Sequence, residues 1–329
     1  MEQPYRVAVI PGDGIGPEVI EATVAVLNAT GVRFSFQHYE AGDRCLEQHG
    51  VALPEETLQG ALDAADAVLF GAAGETAAEV IIRLRRELET FVNLRPTWAF
   101  PGVPCLKPET DLIIVRENTE CLYRGIEEEI APGVTVATRV ITEEASIRIA
   151  RYAFEYATDH DRHKVTAVHK ANVLKVTDGL FRASVRRVAE EYTVPFEEML
   201  VDAAALHLVN NPGQFDVIVT TNMFGDILSD LSAGLIGGLG LCPSANIGLN
   251  HGLFEPVHGT APDIAGRGIA NPTAAILSAA MMLRYLREDE AAEQVDSALR
   301  QALESRKTTP DLGGTLSTME MANAVVDFV

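Results

Sequence analysis

The stretch VIVTTNMFGDILSDL, Val217–Leu231, joins two kinds of periodicity. Val217–Thr220 is a short β-branched run, the mark of a strand. Beyond it, Ile227, Leu228, Leu231 and Leu235 fall on one side of a helix, while Asp226 and Asp230, four apart, share another face. The same order recurs away from this stretch. Val7–Ile10 precedes the helical spacing of Pro17–Leu27, and Ala67–Phe70 precedes that of Val80–Glu89. Leu112–Val115 and Val165–Val168 are further short apolar runs, and Glu288–Ser305 has the spacing of a charged, exposed helix. Strands alternating with helices predict an α/β sheet. No internal repeat or low-complexity tract interrupts the pattern.

At about 150 residues per domain, 329 residues predict about two domains. The 47% hydrophobic content is that of a globular protein and argues against disorder, collagen or coiled coil. Pro96, Pro101, Pro104 and Pro108 crowd one region and Gly234, Gly237, Gly238 and Gly240 another. These mark the expected limits of a domain inserted at 97–236, between segments 1–96 and 237–329 that form the larger one. The 127–138 stretch, with Pro132 and Gly133, reads as an arm or hairpin.

Charge narrows the function classes. The net charge of −21 opposes binding to nucleic acid and to anionic membranes. An anionic small molecule would need a local nest of cations. The four cysteines have no metal-site spacing and read as reduced thiols of a cytoplasmic protein. Arg6–Ile10 reads as a strand rather than as part of an export signal. The longest apolar run, Ala274–Leu283, is half of a membrane span of about 20 residues.

Four charged residues stand at or just beyond strand ends: Arg116, Lys170, Asp202 and Asp226. Ligands of open α/β sheets bind beyond the carboxyl ends of strands, so the four suggest one shared site. The ordinary alternative is that strands end in polar loops. Asp226 and Asp230 repel each other at helical spacing, and a divalent cation would turn that repulsion into coordination. Oxygen ligands favour Mg²⁺ or Mn²⁺; two solvated carboxylates are the alternative reading. Arg85, Arg95 and Arg116 offer guanidinium forks for a di- or tricarboxylate, while Arg86 and Arg83 fit surface ion pairs. Gly12–Gly16 follows a strand and precedes a helix, yet it is not GxGxxG, and Asp13 would oppose a phosphate. No serine or cysteine nucleophile frame is present.

Taken together, IPGDGIGPE (Ile10–Glu18), LRRELETFVNLRP (Leu84–Pro96), VRENTECLY (Val115–Tyr123), HKANVL (His169–Leu174), TNMFGDILSD (Thr221–Asp230) and Phe254–Met282 resemble the β-decarboxylating dehydrogenases of isocitrate, 3-isopropylmalate and homoisocitrate. The matches run in order over nearly the whole chain. The resemblance implies the fold of that family: a large mixed sheet flanked by helices, two domains, and an NAD site without the Rossmann fingerprint. It also implies a cytoplasmic homodimer with shared active sites, locked by the arm near 127–138.

Roles follow from the same resemblance. Arg85, Arg95 and Arg116 would hold the malate carboxylates. Asp226 and Asp230, with Asp202 from the partner subunit, would hold Mg²⁺ or Mn²⁺. Lys170, also from the partner subunit, would accept the hydroxyl proton and Tyr123 would help protonate C3; their ordinary values near 10 and above call for lowering by the cation cluster. The implied NAD contacts are Ile10, Asn172, Glu255, His258, Gly259, Ala261, Asp263, Ile264 and Asn271. Asp263–Ile264 stands where NADP users carry Lys-Tyr, which predicts NAD. Ile81 and Ile82, one turn before Arg85, would face the side group at C3. Their apolar character favours 3-isopropylmalate, giving 4-methyl-2-oxopentanoate, CO₂ and NADH in leucine biosynthesis. Homoisocitrate, isocitrate or 3-methylmalate is the alternative substrate, since Asn118-Thr119-Glu120 resembles the tricarboxylate users; a non-catalytic regulatory subunit is a remote alternative. Cys121 replaces a glycine common in the family.

Overall fold

The computed structural model describes residues 3–329. The chain packs as two compact units: Met1–Thr90 with Ala99–Pro108 and Ile236–Val329, and Phe91–Trp98 with Glu109–Leu235. In chain order, the first unit begins with β1 (Tyr5–Gly12), α1 (Gly16–Ala29), β2 (Phe34–His38), α2 (Asp43–His49), α3 (Glu55–Gln59), β3 (Ala67–Ala72) and α4 (Ile81–Glu87). The second contains β4 (Val92–Trp98), β5 (Asp111–Glu117), β6 (Glu127–Ala131), β7 (Val134–Ala137), α5 (Glu143–Asp159), β8 (Val165–His169), α6 (Thr177–Ala189), β9 (Phe196–Leu200), α7 (Val201–Asn210), β10 (Val217–Thr220) and α8 (Asn222–Ile236). The first unit closes with β11 (Pro243–Ile247), β12 (Gly252–Pro256), α9 (Thr273–Tyr285), α10 (Asp289–Glu304) and α11 (Thr318–Val326).

In the first unit the strand order is β2-β1-β3-β12-β11, parallel except for β11 against β12. Ala8, Ile10, Phe70, Leu84 and Leu253 pack into one core cluster. The apolar run at 274–283 lies in α9, whose residues there are buried almost throughout, so its hydrophobicity is that of a core helix. Among the described residues no helix is long and apolar enough to cross a membrane.

In the second unit the order is β4-β5-β10-β8-β9, with β5, β10, β8 and β9 parallel and β4 antiparallel to β5. β8 and β10 are buried along their whole length, as parallel strands covered on both faces must be. Leu112, Ile114, Val168, Ile218, Leu208 and Leu228 form the core beneath α7 and α8. Thr142 caps α5 by accepting the Ala145 N–H, and Glu143 and Glu144 follow in its first turn. β6 and β7 form an isolated hairpin, exposed at every residue, where the arm was expected.

The division differs from an insertion at 97–236. β4 pairs with β5 from Val92↔Glu117 to Trp98↔Asp111, which places 91–98 in the second unit. The proline-rich 99–108 returns to the first, where a Cβ added at Gly102 would lie 3.2 Å from the Cα of Glu304.

Candidate functional site

The four parallel strands of the second unit end on one side, and the charged residues read from the sequence stand there. Arg116 is the penultimate residue of β5 and fully buried. Its Nη1 donates to Asp226 Oδ1 at 2.5 Å, and its Nε and Nη2 donate to Asn222 Oδ1 at 3.1 and 2.7 Å. Arg95, on β4, donates from Nη1 to Ser229 Oγ at 2.6 Å and to Asp226 Oδ1 at 3.0 Å, and stands 3.6 Å from Asp230. Asn222, Asp226, Ser229 and Asp230 form one stripe of α8 by helical spacing. Gly225 lets α8 come close: a Cβ there would fall 2.6 Å from Arg116 Cγ. The role of Ser229 and Asn222 as guanidinium acceptors was missed; the i, i+4, i+7 spacing was the available signal.

Tyr123 donates its phenol proton to Asp226 Oδ2 at 2.5 Å, and the Arg116 guanidinium lies 5.1 Å from its ring centre. Burial pushes its pKa above the ordinary value, the pull of Arg116 opposes this, and the bond to Asp226 adds to the rise. The direction is upward, opposite to the lowering expected from the cations. Burial also raises Asp230, against Arg95 and with the Asp226 charge.

Lys170, one residue past β8, pairs with Asp202 in the first turn of α7 at 2.5 Å. That bond to Lys170 holds the Asp202 carboxyl below its ordinary range. Asp202 is thus apart from Asp226 and Asp230, and no three potential metal ligands converge among the described residues. Asn172 is exposed in the following turn.

The first unit carries the remaining predicted residues. Arg85 on α4 is buried and donates from Nη2 to Glu255 Oε1 at 2.6 Å; the same oxygen accepts the Asn246 amide at 2.7 Å. Glu255, expected at the cofactor, is occupied in holding Arg85. Ile10 is fully buried in the core cluster, so its side chain is not available to a ligand. Ile81 belongs to that cluster too, whereas the half-buried Ile82 lines a cavity of about 270 Å³ with Val51, Leu53, Glu79 and Arg83.

Two of the sequence motifs meet in this unit. Ile15 donates its N–H to the Thr260 carbonyl at 2.9 Å, and Gly14, at φ 57°, sits where a Cβ would strike Thr260. Asp13 is not aimed outward: its carboxylate accepts the N–H groups of Asp43, Arg44 and Gly74. Within the glycine loop, the N–H groups of Asp13, Ile15 and Gly16 are bonded to the carbonyls of Ala72, Thr260 and Asp13. Ala261 and Ile264 pack with Ile15, Val19, Ala270 and Ala275. Asp263 and Gly259 are exposed beside them, and Asn271 is buried, bonded to Asp311 and the Thr273 N–H.

The donor sets fit the groups implied. The adjacent carboxylates of Asp226 and Asp230 are hard oxygen ligands with accessible side chains, suited to Mg²⁺ or Mn²⁺ with further ligands supplied from elsewhere. Arg85 Nε and Arg95 Nε are buried with no partner among the described residues, which leaves N–H donors for an anion. His258 Nε2 is likewise buried and unpartnered in the Gly14–Thr260 region, leaving a polar atom for a ligand such as a nucleotide base.

A family model described as isocitrate/isopropylmalate dehydrogenase matches residues 6–325. The chain is 59% identical over 326 residues to the 3-isopropylmalate/3-methylmalate dehydrogenase of Methanocaldococcus jannaschii, covering 98% of each. It is 58% identical over 325 residues to the 3-isopropylmalate dehydrogenase of Archaeoglobus fulgidus, covering 98% of this chain and 99% of that protein. The crystal structure of isocitrate dehydrogenase from Methylococcus capsulatus superposes with a TM-score of 0.95 at 45% identity, covering 98% of both chains. With the strand-end cluster and the family motifs both in place, the chain belongs to the isocitrate/isopropylmalate dehydrogenase family and is a dehydrogenase.

Proposed function

We propose that the chain oxidatively decarboxylates (2R,3S)-3-isopropylmalate with NAD, yielding 4-methyl-2-oxopentanoate, CO₂ and NADH for leucine biosynthesis. The observation that carries this reading is the cluster in which Arg95, Arg116 and Tyr123 all converge on Asp226. The two relatives at 58–59% identity, both named for 3-isopropylmalate, support the choice of substrate.

Arg95, Arg116 and Arg85 are assigned to the malate carboxylates by the resemblance, as cations that offset the charge of a dianionic substrate. Lys170 of a second copy is assigned to take the C2 hydroxyl proton, and NAD, when bound, would supply the hydride acceptor. Tyr123, a phenol whose O–H already points into the cluster, is assigned to donate its proton to C3 once CO₂ has left. A divalent cation held by Asp226 and Asp230, with Asp202 of a second copy, supplies Lewis-acid stabilisation of the developing enolate charge when bound. His258, Gly259, Ala261, Asp263, Ile264 and Asn271 form the NAD contacts; Asp263 favours a ribose hydroxyl and repels a 2′-phosphate. Ile82 is the apolar wall for the C3 side group, with Ile81 packed behind it.

The protein is proposed to act as a cytoplasmic homodimer. Ile130, Val134 and Val136 of the hairpin, Leu206 and Val209 of α7, and Ile227 of α8 are exposed apolar residues that a second copy would cover. The four cysteines are all free.

Isolated protein with Mn²⁺, NAD and 3-isopropylmalate should release NADH and CO₂ in equal amounts, and chelation should abolish both. NADH without CO₂, or turnover indifferent to chelator, would contradict the reading.

A further inference from the structure

We propose that Arg139 is a positioning residue that holds three reactive segments of the second unit in register. Only its kinetic readout rests on the reaction proposed above. Arg139 lies two residues after β7, and its side chain is only 13% exposed. Its Nε–H donates to Cys121 Sγ at 3.1 Å, Nη1 donates to the Asp178 carboxylate, and Nη2 donates to Thr221 Oγ1 at 2.8 Å. The ring of Phe224 packs 4.9 Å from the guanidinium carbon.

Each acceptor anchors a segment that carries one of the reactive groups. Cys121 precedes the turn Leu122–Arg124 and therefore Tyr123, and its backbone exchanges hydrogen bonds with Val140 at 2.9 and 3.5 Å. Asp178 is fully buried, and its second oxygen accepts the Lys170 N–H at 2.6 Å. Thr221 leads into α8, and its carbonyl accepts the Gly225 N–H, next to Asp226, at 2.9 Å. One planar fork thus ties the starts of three segments that are far apart in sequence. A lysine, with a single point charge, could answer Asp178 but could not also reach the other two acceptors in fixed geometry. An ion pair serving stability alone would need only Asp178.

The contact also accounts for Cys121, which adopts φ 72° and ψ −147°, a conformation suited to glycine. Its sulfur, fully buried, supplies the acceptor for Nε that a glycine would lack.

The test compares Arg139→Lys, which keeps a charge beside buried Asp178, and Thr221→Val, which removes one arm, with the wild-type dimer. Amide hydrogen exchange should accelerate together at 121–125, 170–174 and 221–226 in Arg139→Lys, and at 221–226 alone in Thr221→Val. In Arg139→Lys, kcat should fall about 10- to 100-fold, the cost of misplacing reactive groups by about an ångström. KM for NAD should stay within about twofold, a split that general destabilisation would not produce. Exchange changes confined to 138–141, or a kcat within about twofold of wild type, would overturn the proposal. Were the wild type inactive on every 3-substituted malate, the proposed reaction would fail, while the exchange pattern would still decide for or against Arg139.

Discussion

Each unit has a run of five hydrogen-bonded strands of which one is antiparallel, but the two differ in what stands where parallel strands end. In the second unit the ends are ionisable: Arg116 at the penultimate position of β5, Lys170 after β8, Asp202 after β9, and Asp226 on the helix after β10. These side chains answer one another through short bonds, so their chemistry rests on regular elements. In the first unit β1 ends in Gly12-Asp13-Gly14, whose carboxylate is turned inward onto three backbone amides. What that region offers a ligand is backbone shape, small residues and the unpartnered His258 Nε2. On the proposed function, the contrast separates reaction from recognition: the charged cluster would set rate, and the turns would set which cofactor is accepted. Substitutions should therefore separate into kcat effects and cofactor effects.

The largest effect expected is in Asp226→Asn. It weakens the acceptor shared by Arg95, Arg116 and Tyr123 and removes a cation ligand, so kcat should drop on the order of 10³-fold and Mn²⁺ titration should lose its site. Retained Mn²⁺ affinity would break the assignment. Tyr123→Phe should lower kcat by roughly 10²-fold, within the range for a lost general acid, with KM for NAD unchanged. On the other side of the comparison, Asp263→Lys should leave kcat with NAD within a few fold while raising kcat/KM for NADP about tenfold, about 1.4 kcal/mol of recognition. An equal loss of kcat would show that the loop is not a recognition element.

The smallest effect is on stability. Burial lowers the pKa of His258, so the folded state resists its protonation. A histidine depressed in this way contributes stability that is present above the unfolded value near 6.5 and is lost as pH falls through it. Thermal melts from pH 7.5 to 5 should show the wild type losing ground relative to His258→Gln; parallel curves would mean that His258 is not a buried neutral ring.

Much of this was legible in the sequence because burial imposes pattern. The β-branched runs at 112–115, 165–168 and 217–220 became strands, and the Asp226–Asp230 spacing became a helix face that meets Arg95 and Arg116. What was not legible depends on distant partners. Nothing near Asp13 in sequence announces that it caps amides at 43, 44 and 74. Proline crowding at 96–108 looked like one boundary, yet tertiary pairing of β4 with β5 splits it into two crossings. Tyr123 was expected to be lowered by the cations, but burial and its bond to Asp226 outweigh them. The positive φ of Cys121 costs about 1–3 kcal/mol and is explained only by the surrounding contacts, which no local pattern reveals.

The most direct test is a ranking of kcat/KM with Mn²⁺ and NAD for 3-isopropylmalate, 3-methylmalate, isocitrate and homoisocitrate at matched concentrations. The account predicts that 3-isopropylmalate leads both tricarboxylates, because Ile82 is apolar and Glu79 opposes a third carboxylate. A lead for isocitrate or homoisocitrate would contradict it and point to Arg83, which lines the same cavity, as the residue that meets the extra charge.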